Sequence, residues 1–122
     1  MNPFNIENIT FPLLKPLYGK MCTSFFDRFK GLMFTKELAE NECIIIDEGK
    51  ESKLNTSIHM FFMFFDIAVI WADKNLKVVD VGLAKAWKPY YASSEPARYV
   101  LETRVGWLKS FHKGDQLRIS NA

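Results

Sequence analysis

The chain predicts a mainly β fold of the α+β kind, barrel-like or sandwich-like, with one or two short helices. Three observations lead there. Its 122 residues are 48% apolar and carry eleven Phe, four Tyr and three Trp; a chain of that length buries roughly two-thirds of its unfolded surface around one core. Short β-branched and aromatic segments recur between turn residues, while helical spacing is confined to brief stretches. No linker, repeat or low-complexity segment divides the sequence, so residues 1–122 read as one domain.

Asn8 to Met21 reads as an extended segment broken by Pro12 and Pro16, which suits an edge strand better than a central one. Thr23 or Ser24 can cap a helix over Ser24 to Leu32, with Phe25, Phe29 and Leu32 at helical spacing and Asp27 in the favourable first turn. Gly31 marks its fraying end, and Lys36 to Asn41 is a short turn or helix. Cys43 to Asp47 is β-branched and strand-like, and the following GKESKLNTS is a polar loop.

The run from Ile58 to Trp71, IHMFFMFFDIAVIW, must be buried, and its polar members His59 and Asp66 need partners or a task. It is rich in Phe, Ile and Val and lies close to a turn, so it reads as a strand. ADKNLKVVDV completes a hairpin, with Asn75 the expected left-handed residue. Strand alternation puts Phe61, Met63, Phe65, Ile67, Val69 and Trp71 on a core face and Phe62, Phe64, Asp66, Ala68 and Ile70 on the other. After the loop KPYYASSEP, ARYVLET is a strand, Val105 to Phe111 one or two helical turns, His112 to Asp115 a turn, and QLRIS the last strand. A closed or nearly closed sheet would hide the edges of such aromatic strands.

Net charge is +2, from sixteen basic and fourteen acidic residues, and no run of Lys and Arg exceeds two. That balance gives no electrostatic footprint for nucleic acid. The apolar run is shorter than the roughly 20 residues of a spanning helix and contains Asp66, so no membrane partner is expected. The N-terminal MNPFNIENIT has neither a positive region nor a leader-like apolar stretch. With two widely spaced cysteines, Cys22 and Cys43, the expectation is a soluble cytoplasmic protein, monomeric or weakly self-associating, with reduced thiols.

Several segments occur together in an informative order. They are Arg28 with Gly31-Leu32-Met33, Ser57-Ile58-His59 leading into Phe61-Phe62-Met63, Asp73, Val78-Val79, Ala86-Trp87-Lys88-Pro89, Tyr99-Val100-Leu101-Glu102, and Gly114-Asp115. In order and spacing they resemble the prokaryotic domain of unknown function number one hundred and ninety-two, over about residues 8–120. The resemblance implies a small, predominantly β domain with a short helix over it and no agreed activity. It also implies an export leader in many members, which does not appear here. The family's usual F-F-M-R-F-P-I-D becomes Phe61 to Ala68, with Phe64 for the Arg, Asp66 for the Pro and Ala68 for the Asp. A catalytic role for that Arg–Asp pair is therefore weakened here, whereas a structural ion pair can give way to apolar residues at little cost.

Candidate chemistry centres on His59, Asp66 and Glu102. Ser57, His59 and Asp66 contain the groups of a hydrolytic triad, but no nucleophile elbow accompanies them. In the plainer reading Ser57 ends a loop and His59 bonds backbone. Metal ligation lacks a C-x-x-C or H-x-x-x-H pattern, and Met60 and Met63 beside Phe read as core filling. No metal or cofactor is expected. Trp87, Tyr90 and Tyr91 form an aromatic loop cluster that either plugs one end of the fold or offers a ligand platform. Glu102 ends an apolar strand, where an ion pair with Arg28, Arg98 or Arg104 is the plainer reading.

The functional expectation is a non-enzymatic binding or accessory module. Its groove would lie near His59, Asp66 and Trp87, with Arg28, Ser57 and Tyr90 contributing, for a small molecule, glycan or peptide. The rival is a small hydrolase-like enzyme with His59 as general base and Asp66 or Glu102 as its partner.

Overall fold

The computed structural model describes residues 3–24, 28, 31–33 and 35–122. Seven strands form one sheet: β1 (Phe4–Asn8), β2 (Leu17–Cys22), β3 (Glu42–Ser52), β4 (Ile67–Ala72), β5 (Val78–Ala84), β6 (Ala97–Arg104) and β7 (Leu117–Asn121). Their order is β5-β4-β6-β3-β2-β1-β7. The β2–β3 pair is parallel and the other pairs are antiparallel. A 3-10 helix, Val105–Ser110, follows β6 directly.

The mainly β prediction holds, but the sheet is open rather than a barrel. Its edge strands β5 and β7 approach one another at an isolated bridge, Lys77↔Gln116, reinforced by Val78 N–H to Asp115 O and Leu117 N–H to Leu76 O. A few bonds at one end shield part of the exposed edges without a continuous ladder between them.

Burial on both sides of the sheet explains the apolar content. Ala68, Ile70 and Ala72 pack with Ile6, Leu17, Ile45, Leu101, Trp107 and Phe111 on one face. Ile67, Val69 and Trp71 pack with Ile46, Met60, Met63 and Val100 on the other. β4 is interior, so all six of its residues are buried and hydrophobicity does not alternate along it.

The long strand expected from residue 58 begins only at Ile67. Residues 58–66 fold instead against the segment 87–91: Ile58 and Tyr91 exchange backbone bonds, Met60 N–H donates to Lys88 O, and Trp87 N–H donates to Met60 O. A reversal at Phe62, with φ of 62°, turns Met60 and Met63 inward and leaves Phe61, Phe62 and Phe64 exposed. The two-face assignment for residues 61–66 therefore fails, because alternation applies only where the backbone is extended.

Smaller corrections have local causes. Pro12 and Pro16 lie in the loop joining β1 to β2, and both strands are interior to the sheet. The β4–β5 turn has its left-handed residue at Leu76, not Asn75. The Asp73 carboxylate accepts the N–H groups of Asn75 and Lys77, an Asx-type closure that sets the turn. β3 extends to Ser52, so part of the expected polar loop is strand. The proposed helix over Ser24 to Leu32 falls mostly outside the described residues; Arg28 is helical, and its N–H donates to Ser24 O.

Candidate functional site

β6 carries Val100 and Glu102 on the same face, opposite Ile46 and Ile44 of β3. Across β6 on the β4 side, Glu102 is in register with Val69. This is the face covered by residues 31–33 and by the loop 54–65. Placing a carboxylate at the middle of a sheet, beneath a covering segment, removes it from water: Glu102 is only 6% exposed. Burial pushes its carboxyl up to about 7 from 4.5, against the opposing effect of the Leu32 N–H bonded to it.

A cavity of about 340 Å³ opens beside this carboxyl. Leu32, Ile46, Ile58, Met63 and Val100 supply apolar wall, and its polar groups include Arg28, Glu48, Ser57, His59 and Glu102. Gly31 has φ of +49°, and a Cβ there would lie 2.9 Å from Glu102 Oε1. Glycine suits the left-handed backbone, and a Cβ there would also push the Glu102 carboxyl aside.

The expected ion pairs of Glu102 do not form. Arg28 Nε lies 3.3 Å from Glu48 Oε1, and its Nη1 donates to Thr23 O. Arg98 makes a two-pronged bond to Asp47, at 2.9 and 3.1 Å, and Arg104 Nη1 donates to Leu38 O. Each arginine sits beside another acceptor, and among the described residues Glu102 has no cation within ion-pair distance. Burial also pushes up the Glu48 carboxyl, opposed by Arg28.

Of the sequence-expected site residues, Arg28, Ser57, His59 and Glu102 line this one cavity. His59 Nδ1 accepts the Phe61 N–H at 3.3 Å, and Ser57 Oγ donates to Leu54 O. Asp66, Trp87 and Tyr90 lie off the cavity wall. Asp66 Oδ1 accepts the Ala86 N–H, which fastens the start of β4 to the segment after β5. Trp87, with φ of 68°, sets its ring 5.3 Å from that of Phe62, and Trp87 and Tyr90 are both more than half exposed. The single groove expected around His59, Asp66 and Trp87 is therefore two separate places. The backbone turn at Phe62 separates them, and strand alternation could not foresee it.

Gly31, Leu32, Met33, Glu48 and Asn55 were not expected at the site, yet they line the cavity. The signal for them was the presence of the R-x-x-G-L-M and Y-V-L-E segments in one chain, whose proximity only the fold reveals. The family's Arg and Asp positions do not meet either: Phe64 is exposed before the strand, and Ala68 is fully buried within it. Among the described residues no group of three or more His, Cys, Asp or Glu is placed to hold a metal ion.

Comparison with known proteins places these features in context. The DUF192 family model, described as uncharacterized ACR, matches residues 15–119. A UPF0127 protein of Thermococcus kodakarensis is 40% identical over 91 residues, covering 75% of this chain and 56% of that protein. Another, of Pyrococcus horikoshii, is 36% identical over 101 residues, covering 81% and 84%. The chain thus spans little more than half the length of the first of these relatives. A crystal structure of a Novosphingobium aromaticivorans protein of unknown function matches with a TM-score of 0.80 at 17% identity, over 95% of this chain and 83% of that one. One from Sinorhizobium meliloti, described as a candidate transcription regulator, matches with a TM-score of 0.83 at 18% identity, over 97% and 92%. At such identities the structural likeness carries the fold alone.

Proposed function

The chain belongs to the DUF192 family, and from that premise we propose that it is a ligand-binding module whose site is the cavity beside Glu102. One observation carries the reading: three segments far apart in sequence, around Gly31, His59 and Glu102, converge on a single concavity of about 340 Å³. That volume lies at the lower end of the range for small-molecule sites. Apolar walls with a few converging polar groups are the usual construction of such sites. The volume favours a small molecule over the glycan or peptide that the sequence also allowed.

Trp87 and Tyr90 belong to a separate exposed surface in this reading, and Asp66 is a structural fastening. The protein acts in the cytoplasm, as a monomer or weak oligomer, without nucleic acid or membrane as partner. Two buried cysteines outside any disulfide agree with that compartment. Among the described residues no helix is long and apolar enough to cross a membrane.

The test is a fragment screen followed by amide NMR on the intact chain. Binders should shift Gly31, Leu32, Ser57 and His59 as one set. Perturbations scattered over the surface, or confined to Trp87 and Tyr90, would overturn the assignment.

A hydrolase-like reading has one observation in its favour. The Glu102 carboxyl, pushed to about 7, shares the cavity with His59, and an acid poised near neutrality suits general acid–base work. Turnover of activated ester or phosphate substrates that is lost in both Glu102→Gln and His59→Ala would favour it over simple binding.

A further inference from the structure

We infer that the cavity takes a small organic cation: a protonated amine with a compact apolar body, its ammonium set against the carboxylate of Glu102. The inference rests on the binding reading above and names the chemical class bound.

The first support is charge balance around the cavity. Among the described residues the lining's arginine is Arg28, which is occupied by Glu48 and by the carbonyl of Thr23. Among the described residues, an ionised Glu102 is then a carboxylate with no arginine or lysine at ion-pair distance. A buried carboxylate without a cation is unfavourable, and a ligand ammonium within hydrogen-bond reach would relieve it. An anionic ligand would meet the opposite field and would have to displace Arg28 from Glu48.

The second support is shape. Leu32, Ile46, Ile58, Met63 and Val100 offer apolar contact around the carboxyl, so a ligand with an apolar body gains from burial as well as charge. Gly31 holds the covering backbone against the carboxyl, with a Cβ position only 2.9 Å from Oε1, and the Leu32 N–H bonds the same group. These contacts hold Glu102 in place before any ligand arrives, which lowers the ordering cost of binding.

Protonation then couples to binding. Among the described residues, the titratable groups around Glu102 are Arg28 from the covering segment, Cys43 and Glu48 from β3, and His59 from the loop. Burial pushes the Cys43 thiol far up, so it stays neutral throughout the working range. An ammonium favours ionised Glu102, so amine binding releases a proton wherever the carboxyl was protonated beforehand.

The experiment uses three probes of nearly equal shape: benzylamine, benzyl alcohol and benzoate. Each is titrated into the full chain and followed by amide NMR, at pH 5 and pH 8. The expectation is that benzylamine shifts Gly31 and Leu32, with affinity at least tenfold higher at pH 8. Benzyl alcohol and benzoate should bind at least tenfold more weakly, and Glu102→Gln should remove the preference for the amine. At pH 6, calorimetry of the unaltered protein in two buffers of different ionisation heat should report proton release, a readout independent of any variant. If the alcohol or benzoate binds in the cavity as well as the amine does, the cation assignment falls and the binding reading stands. If none of the three perturbs the cavity residues, both fall.

Discussion

Replacing Glu102 by Gln should make the protein more stable at pH 8 and change it little at pH 4. Within the fold the carboxyl is pushed from 4.5 to about 7, with burial the main cause. At about 1.4 kcal/mol for each pH unit, that displacement is worth on the order of 3 kcal/mol. At 6% exposure solvent does little to screen it. Below pH 4.5 the carboxyl is protonated in both folded and unfolded chains, and the favourable contribution is fully present. Between 4.5 and 7 the unfolded chain sheds the proton that the folded chain retains, so stability falls as pH rises. Above 7 the carboxyl is ionised in both states and the contribution is lost. Gln is neutral throughout and can still accept the Leu32 N–H. Urea denaturation of both proteins at pH 4, 5, 6, 7 and 8 measures the difference directly, with the titrations of other groups cancelling. The variant's advantage should grow through the window from 4.5 to 7 and level off near 3 kcal/mol. A difference that is flat with pH would show that Glu102 is not held in a desolvated site, and the charge-balance reasoning for the cavity would fail with it.

Three further outcomes follow from single contacts. Gly31→Ala should cost about 1–3 kcal/mol in urea denaturation, from strain at φ of +49° and displacement of the Glu102 carboxyl. Its amine affinity should fall alongside. Trp71→Phe removes the buried indole N–H that donates to Thr56 O at 2.8 Å. It should destabilise by about 1–2 kcal/mol and broaden the amide signals of residues 54–57. Asp115 is buried and accepts from Asn8 Nδ2 and from the His112 N–H, both at 2.8 Å. Asp115→Ala strands those donors and should cost about 2–4 kcal/mol by thermal or urea melting, with the loss centred on the β7 end of the sheet.

Much of the architecture was legible because it depends on local chemistry. β6, the 3-10 turn after it and β7 fall close to their expected bounds: the ARYVLET segment has strand composition, and Gly114 with Asp115 punctuates the chain. The failures share a cause. From Phe61 to Phe64 the residues are strongly strand-forming, yet their backbone bonds go to residues 87–91 and the chain reverses at Phe62. Propensity describes a residue's fit to an extended surface, whereas the partner that captures its N–H lies elsewhere in the chain. The expected left-handed Asn75 failed for a related reason, since the Asp73 carboxylate had already set the geometry of the turn.

The sequence by itself determined the fold class, the family and the residue types at the site, because hydrophobic pattern, turn chemistry and motif order are properties of the linear chain. It also placed Glu102 on the same strand face as Val100. Only the tertiary structure decided that Arg28, Arg98 and Arg104 would each turn to another acceptor, so that among the described residues the carboxylate beneath Gly31 and Leu32 has no cation at ion-pair distance. Ion-pair partners are chosen by distance in space. Arg98 shares β6 with Glu102 but pairs with Asp47 of β3, and Arg28 lines the same cavity but pairs with Glu48.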